Sequence, residues 1–571
     1  MRAVGASHIA FQGGLGAACR DSPDRIESGP VAVGQTKKTF RKHFTPTDLN
    51  TTLNRTLNIV QTFEGARMPR NRLAAAALAA VLATTLVACG GGTSGSASNT
   101  PVQGGTLHVL RATPFEGFDL DKETLNSTLQ ISQSVIEPLI RVGEDGKSLA
   151  PGIAASWSYN KSNTALTIKI NPDAKFSNGK PVTADDVAFS VDRWKAGPNY
   201  GASFAGIKSV QKVDDKTVIL HLAAPDTSLV AFLSWAIAGV VPKDFGGQSA
   251  ADYFKSPIGA GAFKVEKWSA NGDVVLAKNP DYYQPGRPYV DKVVSSFASD
   301  PNSVTLQLRS GQADMADDVL PVTASTLPKG VAHAGPEHSA QVLVMNTKVP
   351  GLADVDVRRG IGYAINFDDI TKGAFKGFGT APTGALPTNL SNWAPPSVPY
   401  FTHDVEKAKS LLAGKAPKKL QLLYSNDATS SAEAQIVQDN LAEVGITVQI
   451  KSADRSTAFG AMASGNYQMM LFSYSAISPD ASDPAWFAVA THTIFTGFPV
   501  GDAVRILTDY AATDSKQAKM KAITRLQDLW TNEAPFIALA NTRLIEAINN
   551  NVHGAHVAPW GIYYFDTIWK K

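Results

Sequence analysis

The chain has 571 residues, with 53 Lys+Arg against 50 Asp+Glu, a formal net charge of +3 and 44% hydrophobic residues. That is an ordinary globular composition, and its mixed charges, with no basic stripe, argue against a nucleic-acid partner. Only Cys19 and Cys89 are present, which excludes disulfides, thiol chemistry and Cys-based metal sites from the body of the chain.

Residues 1–67 are polar and Gly-rich without clear periodicity. They read as a mis-assigned or a disordered extension, because Met68 begins a complete signal of its own. Arg70 and Arg72 precede an almost uninterrupted Ala/Leu/Val run, Leu73–Val87. Its length, about 15 residues, falls short of the roughly 20 that span a bilayer and suits the apolar core of a secretory signal. Leu86-Val87-Ala88-Cys89 then reads as a lipobox. Residues 68–88 are expected to be removed as a lipoprotein signal peptide, leaving Cys89 to carry a diacylglyceryl group outside the cytosol. Residues 89–103 follow as a Gly/Ser-rich flexible linker, spanning on the order of 20 Å.

From residue 104 on, strand and helix signals alternate. Thr106–Leu110, Ala165–Ile170 and Thr217–Leu222 read as strands. Thr183 is placed to cap a helix through Val187, Val191 and Trp194, with Asp185 and Asp186 in its positive first turn. Helices are expected over Val357–Asn366, Val405–Leu412 and Ala432–Val444, the last ended by Gly445. Strands are expected over Leu420–Tyr424 and Thr447–Ile450. A β-α-β unit of this kind argues for sheets covered by helices.

Several segments, taken in order, are similar to one family. They are Glu137-Pro138-Leu139, Leu149 to Ala154, Lys175-Phe176-Ser177-Asn178-Gly179-Lys180-Pro181 with the helix after it, Ser256 to Phe263, Asn279-Pro280-Asp281-Tyr282-Tyr283 and Val357 to Asn366. Over residues 104–571 the chain resembles the family 5 extracellular solute-binding proteins, the peptide/nickel-type receptors of ABC importers. The resemblance implies an α/β, two-lobed periplasmic-binding-protein fold of type II, in the enlarged peptide-binding form with an extra subdomain and a hinge of crossing strands. It places lobe I at 104–340 plus 541–571, with an inserted subdomain at about 146–257, and lobe II at 341–540. The crossings are expected near Gln341–Asn346 and Ala538–Thr542, where apolar runs suit buried connecting strands. Gly259 and Gly261 are read as positions needing backbone conformations closed to other residues.

The implied partners are a peptide or related amine-bearing solute, ABC permease subunits and a membrane reached through the lipid on Cys89. A monomer without cofactor or metal is expected. H-E-x-x-H, G-x-S-x-G and P-loop patterns are absent. In Ser478-Pro479-Asp480-Ala481-Ser482-Asp483-Pro484, Asp483 is expected to cap a helix starting at Pro484. That leaves Asp480 as a loop carboxylate without local employment. In peptide-binding relatives its counterpart pairs with the ligand's α-amino group. Trp393, Trp486 and Tyr474 are candidate apolar walls, each with core packing as the alternative. Dipeptide-binding relatives carry an Arg just after the strand matching Leu420–Tyr424, where it grips the ligand carboxylate. Here Ser425-Asn426-Asp427-Ala428-Thr429-Ser430 has none. Asp427, if it faces the cleft, would favour a cationic ligand. A ligand-binding sensor or chaperone-like lipoprotein not coupled to import is the alternative function, and a secreted hydrolase a distant third.

Overall fold

The structure, a computed structural model, describes residues 100–571 apart from 123–125, 199, 271, 299, 492–496 and 556–563. The signal run, Cys19, Cys89 and the linker up to Asn99 lie outside the described residues.

Two sheets divide the body. The first has seven strands in the order Ala332–Ala334, Ile545–Ile548, Met315–Ala316, Thr106–Arg111, Lys292–Phe297, Val274–Lys278 and Phe263–Trp268. It draws on both the start and the end of the folded chain. The second has five strands, ordered Thr447–Ala453, Lys419–Ser425, Met469–Ser475, Ser339–Met345 and Phe536–Thr542. A four-stranded antiparallel sheet, built from Ala154–Tyr159, Ala165–Ile170, Thr217–Leu222 and Ile207–Asp214, forms the inserted subdomain with the helix Ala184–Ala196. Its two inner strands, Ala165–Ile170 and Thr217–Leu222, alternate buried and open residues, as a sheet covered on one face requires.

The chain passes between the two large sheets twice. The runs expected to cross, near 341–346 and 538–542, instead lie in the second sheet as far as Met345 and Thr542, on strands paired with each other. The crossings fall a few residues outside them, at Gly335–His338 and Arg543–Leu544. The apolar runs are strands buried on both faces, one inside the sheet and one at its edge, which is why periodicity alone did not separate them from connectors.

The family segments turn out to brace one another. Gly259 and Gly261 do not adopt positive φ, contrary to expectation. A Cβ at Gly259 would lie 1.8 Å from the Val135 carbonyl oxygen, and one at Gly261 2.4 Å from that of Ser134. Close backbone approach is therefore the reason for glycine. Ser177 donates its amide to the Gly259 carbonyl at 2.8 Å, and Asn279 Nδ2 donates to the Gly261 carbonyl at 2.8 Å, joining three of the segments. Gly179, at φ +79°, makes the intervening turn. Arg358 is buried at the head of its helix and donates to the carbonyls of Leu352, Ala353, Glu533 and Ala534, a structural clamp.

Several hydrogen bonds run from the subdomain to the lobe that carries the second sheet. Thr227 donates its amide to the Ala511 carbonyl at 2.8 Å and its hydroxyl to that of Thr513 at 2.7 Å. Asn163 Nδ2 reaches the Ala512 carbonyl at 3.2 Å, and the Ser391 hydroxyl reaches that of Lys147 at 2.7 Å. Ile477 packs on the subdomain core. The two lobes meet along this line.

Candidate ligand-binding site

The loop between the strand Met469–Ser475 and the helix Ser482–Thr491 sits where the lobes meet. The helix begins two residues earlier than expected, so Asp483 is not its cap. Its carboxylate turns back to accept from the amides of Ile477 and Ser478, and burial pushes it up to about 7. Pro484 falls within the first turn, where its missing N–H costs nothing.

Asp480 is the correction that matters most. Far from lacking local employment, it is only 5% exposed and accepts four hydrogen bonds. Its Oδ1 takes the Ser482 amide at 2.9 Å, the Ser482 hydroxyl at 2.6 Å and the Tyr510 hydroxyl at 2.6 Å. Its Oδ2 takes Asn392 Nδ2 at 3.0 Å. The first of these bonds starts the helix, as a short polar side chain does at a helix entrance. Asn392 is fixed in turn by the Tyr510 hydroxyl at 3.1 Å, and its neighbour Ser391 is laced to the backbone of Pro479 and Ala481.

All four donors are neutral. The ion pairs of the described residues lie elsewhere, and none includes Asp480. Neutral donors orient a buried carboxylate and lower its desolvation cost, but they leave its charge uncompensated. That charge reaches across the lobe boundary: the Tyr159 hydroxyl of the subdomain is held well above its ordinary range by burial, Asp226 and Asp480. Burial and Asp480 do the same to Tyr510.

The other expected site residues separate into two groups. Trp393 follows Asn392 and packs against the second lobe's core, with its indole N–H buried and without a partner among the described residues. Tyr474 and Trp486 are 2% and 3% exposed members of that core, and the Tyr474 hydroxyl donates to the Ala385 carbonyl at 2.7 Å. They stand behind Asp480 as packing. Asp427 caps the helix Ala428–Glu443, accepting from the Ser430 amide at 2.9 Å and hydroxyl at 2.7 Å. The helix starts four residues before the expected Ala432, because this cap overrides the weak helix preference of Thr429, Ser430 and Ser431. No hydrogen bond among the described residues joins Asp427 to Asp480. Tyr510 and Ser482 were missed. Nothing local marks Tyr510, which lies 30 residues from its partner.

A cavity of about 540 Å³ lies elsewhere, lined by residues including Leu423, Asn426, Lys451, Asp454 and Thr457, and includes neither Asp480 nor any of its four donors. Among the described residues no group of three or more His, Cys, Asp or Glu is placed to hold a metal ion, and no helix is long and apolar enough to cross a membrane.

Residues 148–493 match the family model for bacterial extracellular solute-binding proteins, family 5. The chain belongs to that family. Family 5 chains are binding proteins, and this one is a substrate-binding protein serving an ABC importer; a role uncoupled from import is not favoured. Among its relatives is a probable di/tripeptide-binding protein of Pseudomonas aeruginosa, 24% identical over 513 residues, covering 82% of this chain and 97% of that one. A glutathione-binding protein of Pectobacterium atrosepticum is 26% identical over 475 residues, covering 78% of this chain and 91% of that one. The solved structure of AgaA from A. tumefaciens R10 with agropinic acid superposes with a TM-score of 0.69 at 25% identity, covering 82% of this chain and 99% of that one. These neighbours share the two-lobed periplasmic-binding fold expected above, and the family is extracytoplasmic.

Proposed function

We propose that this binding protein captures a peptide or related amine-bearing solute between its lobes, with the ligand's ammonium against Asp480, and delivers it to a permease. One observation carries the reading: a carboxylate 5% exposed, at the line where the lobes meet, held by neutral donors alone. A cation arriving there meets a preoriented anion in a low-dielectric setting, where the attraction exceeds its value in water. Relatives named for di/tripeptides and for glutathione, all bearing a free amine, support the same class. Trp393 flanks the ammonium, while Tyr474 and Trp486 hold the shell behind it. Asp427 contributes at most a distant negative potential. The ligand stabilises the closed arrangement only through its differential affinity for it.

The chain acts as a monomer, has no enzymatic step, and is tethered by lipid on Cys89 after removal of residues 68–88. Intact mass of the native protein reads the anchor directly: a mature chain starting at acylated Cys89 supports it, and an unprocessed one overturns it.

The test of the site is Asp480→Asn, which keeps shape and most hydrogen bonds while removing the charge. Affinity for trialanine, measured by titration calorimetry, is expected to fall by about 2–5 kcal/mol with the circular dichroism of the free protein unchanged. An unchanged dissociation constant takes Asp480 out of the site.

A further inference from the structure

Asp480 takes its two long-range hydrogen bonds from Tyr510 and Asn392. Each of these donors stands next in the chain to a residue bonded across the lobe boundary. Asn392 follows Ser391, whose hydroxyl donates to the Lys147 carbonyl of the first lobe at 2.7 Å. Tyr510 precedes Ala511, Ala512 and Thr513, whose carbonyls all accept from the subdomain.

The second of these links has a physical cause in the helix Gly501–Ala511. The last carbonyls of a helix have no partner within it. Those of Thr508 and Tyr510 accept from the amides of Ala512 and Thr513, at 3.1 and 3.4 Å. The Ala511 carbonyl accepts instead from Thr227, the amide at 2.8 Å and the hydroxyl at 3.2 Å. Asn163 Nδ2 donates to the Ala512 carbonyl at 3.2 Å, and the Thr227 hydroxyl to that of Thr513 at 2.7 Å. One lobe therefore closes the helix end of the other. Asn163 and Thr227 are 8% and 7% exposed, and their loops are braced for the task. Asn163 stands at φ +55°, a left-handed conformation that is uncommon outside glycine and favoured by Asn among the rest. Its carbonyl accepts the Asp226 amide at 3.1 Å, and Asp226 Oδ1 takes the amides of Ser228 and Leu229 at 2.9 and 3.2 Å. A residue held in a sparsely populated backbone region, with its side chain bonded across a boundary, has the character of a functional position.

We infer that Asn163 and Thr227 are positioning residues for the ligand site. By capping the helix Gly501–Ala511 from the other lobe they fix Tyr510, and through it the Asp480 carboxylate. The Ser391 bond to Lys147 does the same for Asn392. Lobe closure and the orientation of the anion are then one event: the seam sets both distant donors of Asp480 when it forms and loosens both when it parts. The solute binds best to the arrangement in which they are set. This rests on the proposed role of Asp480.

The experiment uses the full folded chain with trialanine as probe. Asn163→Gly permits the left-handed backbone and removes the side chain, and Thr227→Val keeps the shape and removes the hydroxyl. The double variant is expected to keep the circular dichroism of wild type and to bind trialanine about tenfold more weakly, the effect of two neutral hydrogen bonds. Stopped-flow kinetics should place that loss in faster dissociation. In a Tyr510→Phe background the same two substitutions are expected to weaken binding by no more than about threefold, because the route to Asp480 is already cut. Should the double variant not fold, Ser391→Ala tests the other link, with about threefold weaker binding expected. Unchanged trialanine affinity in the double variant, or in Ser391→Ala where that stands in, overturns the inference. So does an equal loss with and without the Tyr510 hydroxyl, which would make the seam a closure contact only. Failure of wild type to bind trialanine overturns the proposed ligand class instead. The positioning role is then decided without ligand, by hydrogen exchange of the Ser482 amide that donates to Asp480. Exchange about tenfold faster in the double variant upholds the role, and equal exchange overturns it.

Discussion

Two buried charged centres invite comparison, one in each lobe. In the first, Arg141 donates to Glu137 at 2.7 Å, to the Tyr282 hydroxyl at 2.6 Å and to Asp566 at 3.0 and 3.2 Å, and lies 3.7 Å over the Tyr564 ring. Burial works against its charge, but Asp566, Tyr282 and Glu137 outweigh burial and hold the guanidinium well above its ordinary value. The Tyr283 hydroxyl also donates to Glu137 Oε1, at 3.0 Å. In the second centre, Asp480 is as deeply buried and as fully hydrogen-bonded, yet no cation is among its partners. The first is a closed ionic set that ties residues near both ends of the folded chain together. The second is a carboxylate held by neutral donors alone, which is the feature the proposed ligand role rests on. Hydrogen-bond satisfaction alone does not tell these apart; charge balance does.

The largest effect expected from this contrast is in the closed set. Arg141→Met leaves Glu137 buried without its counter-charge and Asp566 with only Arg287 at 3.5 Å, and urea denaturation should show a loss of about 3–5 kcal/mol. A loss below 1 kcal/mol would mean that the two centres do not differ as described.

Glu433 sharpens the comparison, since it is a buried carboxyl with a single neutral partner, Gln341 Nε2 at 2.8 Å. Burial pushes it from 4.5 up to about 8, the Gln341 hydrogen bond opposing and Asp427 adding to the rise. The folded protein thus keeps a proton that the unfolded chain releases. Its stabilising contribution is complete below the unfolded value and is lost as pH rises through the folded one. Wild type should therefore lose stability relative to Glu433→Gln between about pH 5 and pH 8, by a few kcal/mol. Parallel pH–stability curves for the two proteins would show that Glu433 is not held protonated.

A smaller effect is expected at Tyr510→Phe, which removes one donor from Asp480. Stability should drop by about 1.5–3 kcal/mol, the range for a hydrogen bond to a charged group. Trialanine affinity should change less than in Asp480→Asn, because the charge survives. The smallest concerns the cavity lined by Lys451. Lys451→Ala is expected to leave trialanine affinity within about twofold. A large loss would move the ligand to that cavity.

Much of the architecture was readable from local pattern. Val405–Leu412, Ala165–Ile170 and Thr217–Leu222 form with the expected bounds, since period and caps agree there. Other bounds moved where a cap outvoted propensity. Asp354 starts its helix at Val355 and Asn366 caps the next turn, so the expected Val357–Asn366 becomes Val355–Ala364. At Asp427 the same effect moved a site candidate into a structural role.

Hydrophobic period, caps and the ordered family segments are properties of neighbouring residues, and they settle the kind of fold and the kind of protein this is. Which of Asp427, Asp480 and Asp483 stands ready for a cation is a different sort of question. Each sits beside a helix start and each accepts hydrogen bonds from its own loop. Asp480 differs from the other two in its distant partners Asn392 and Tyr510, 88 and 30 residues away, and the proposed role rests on that difference. Its charge balance is a sum over groups that only folding brings together, and no local window of the chain contains them.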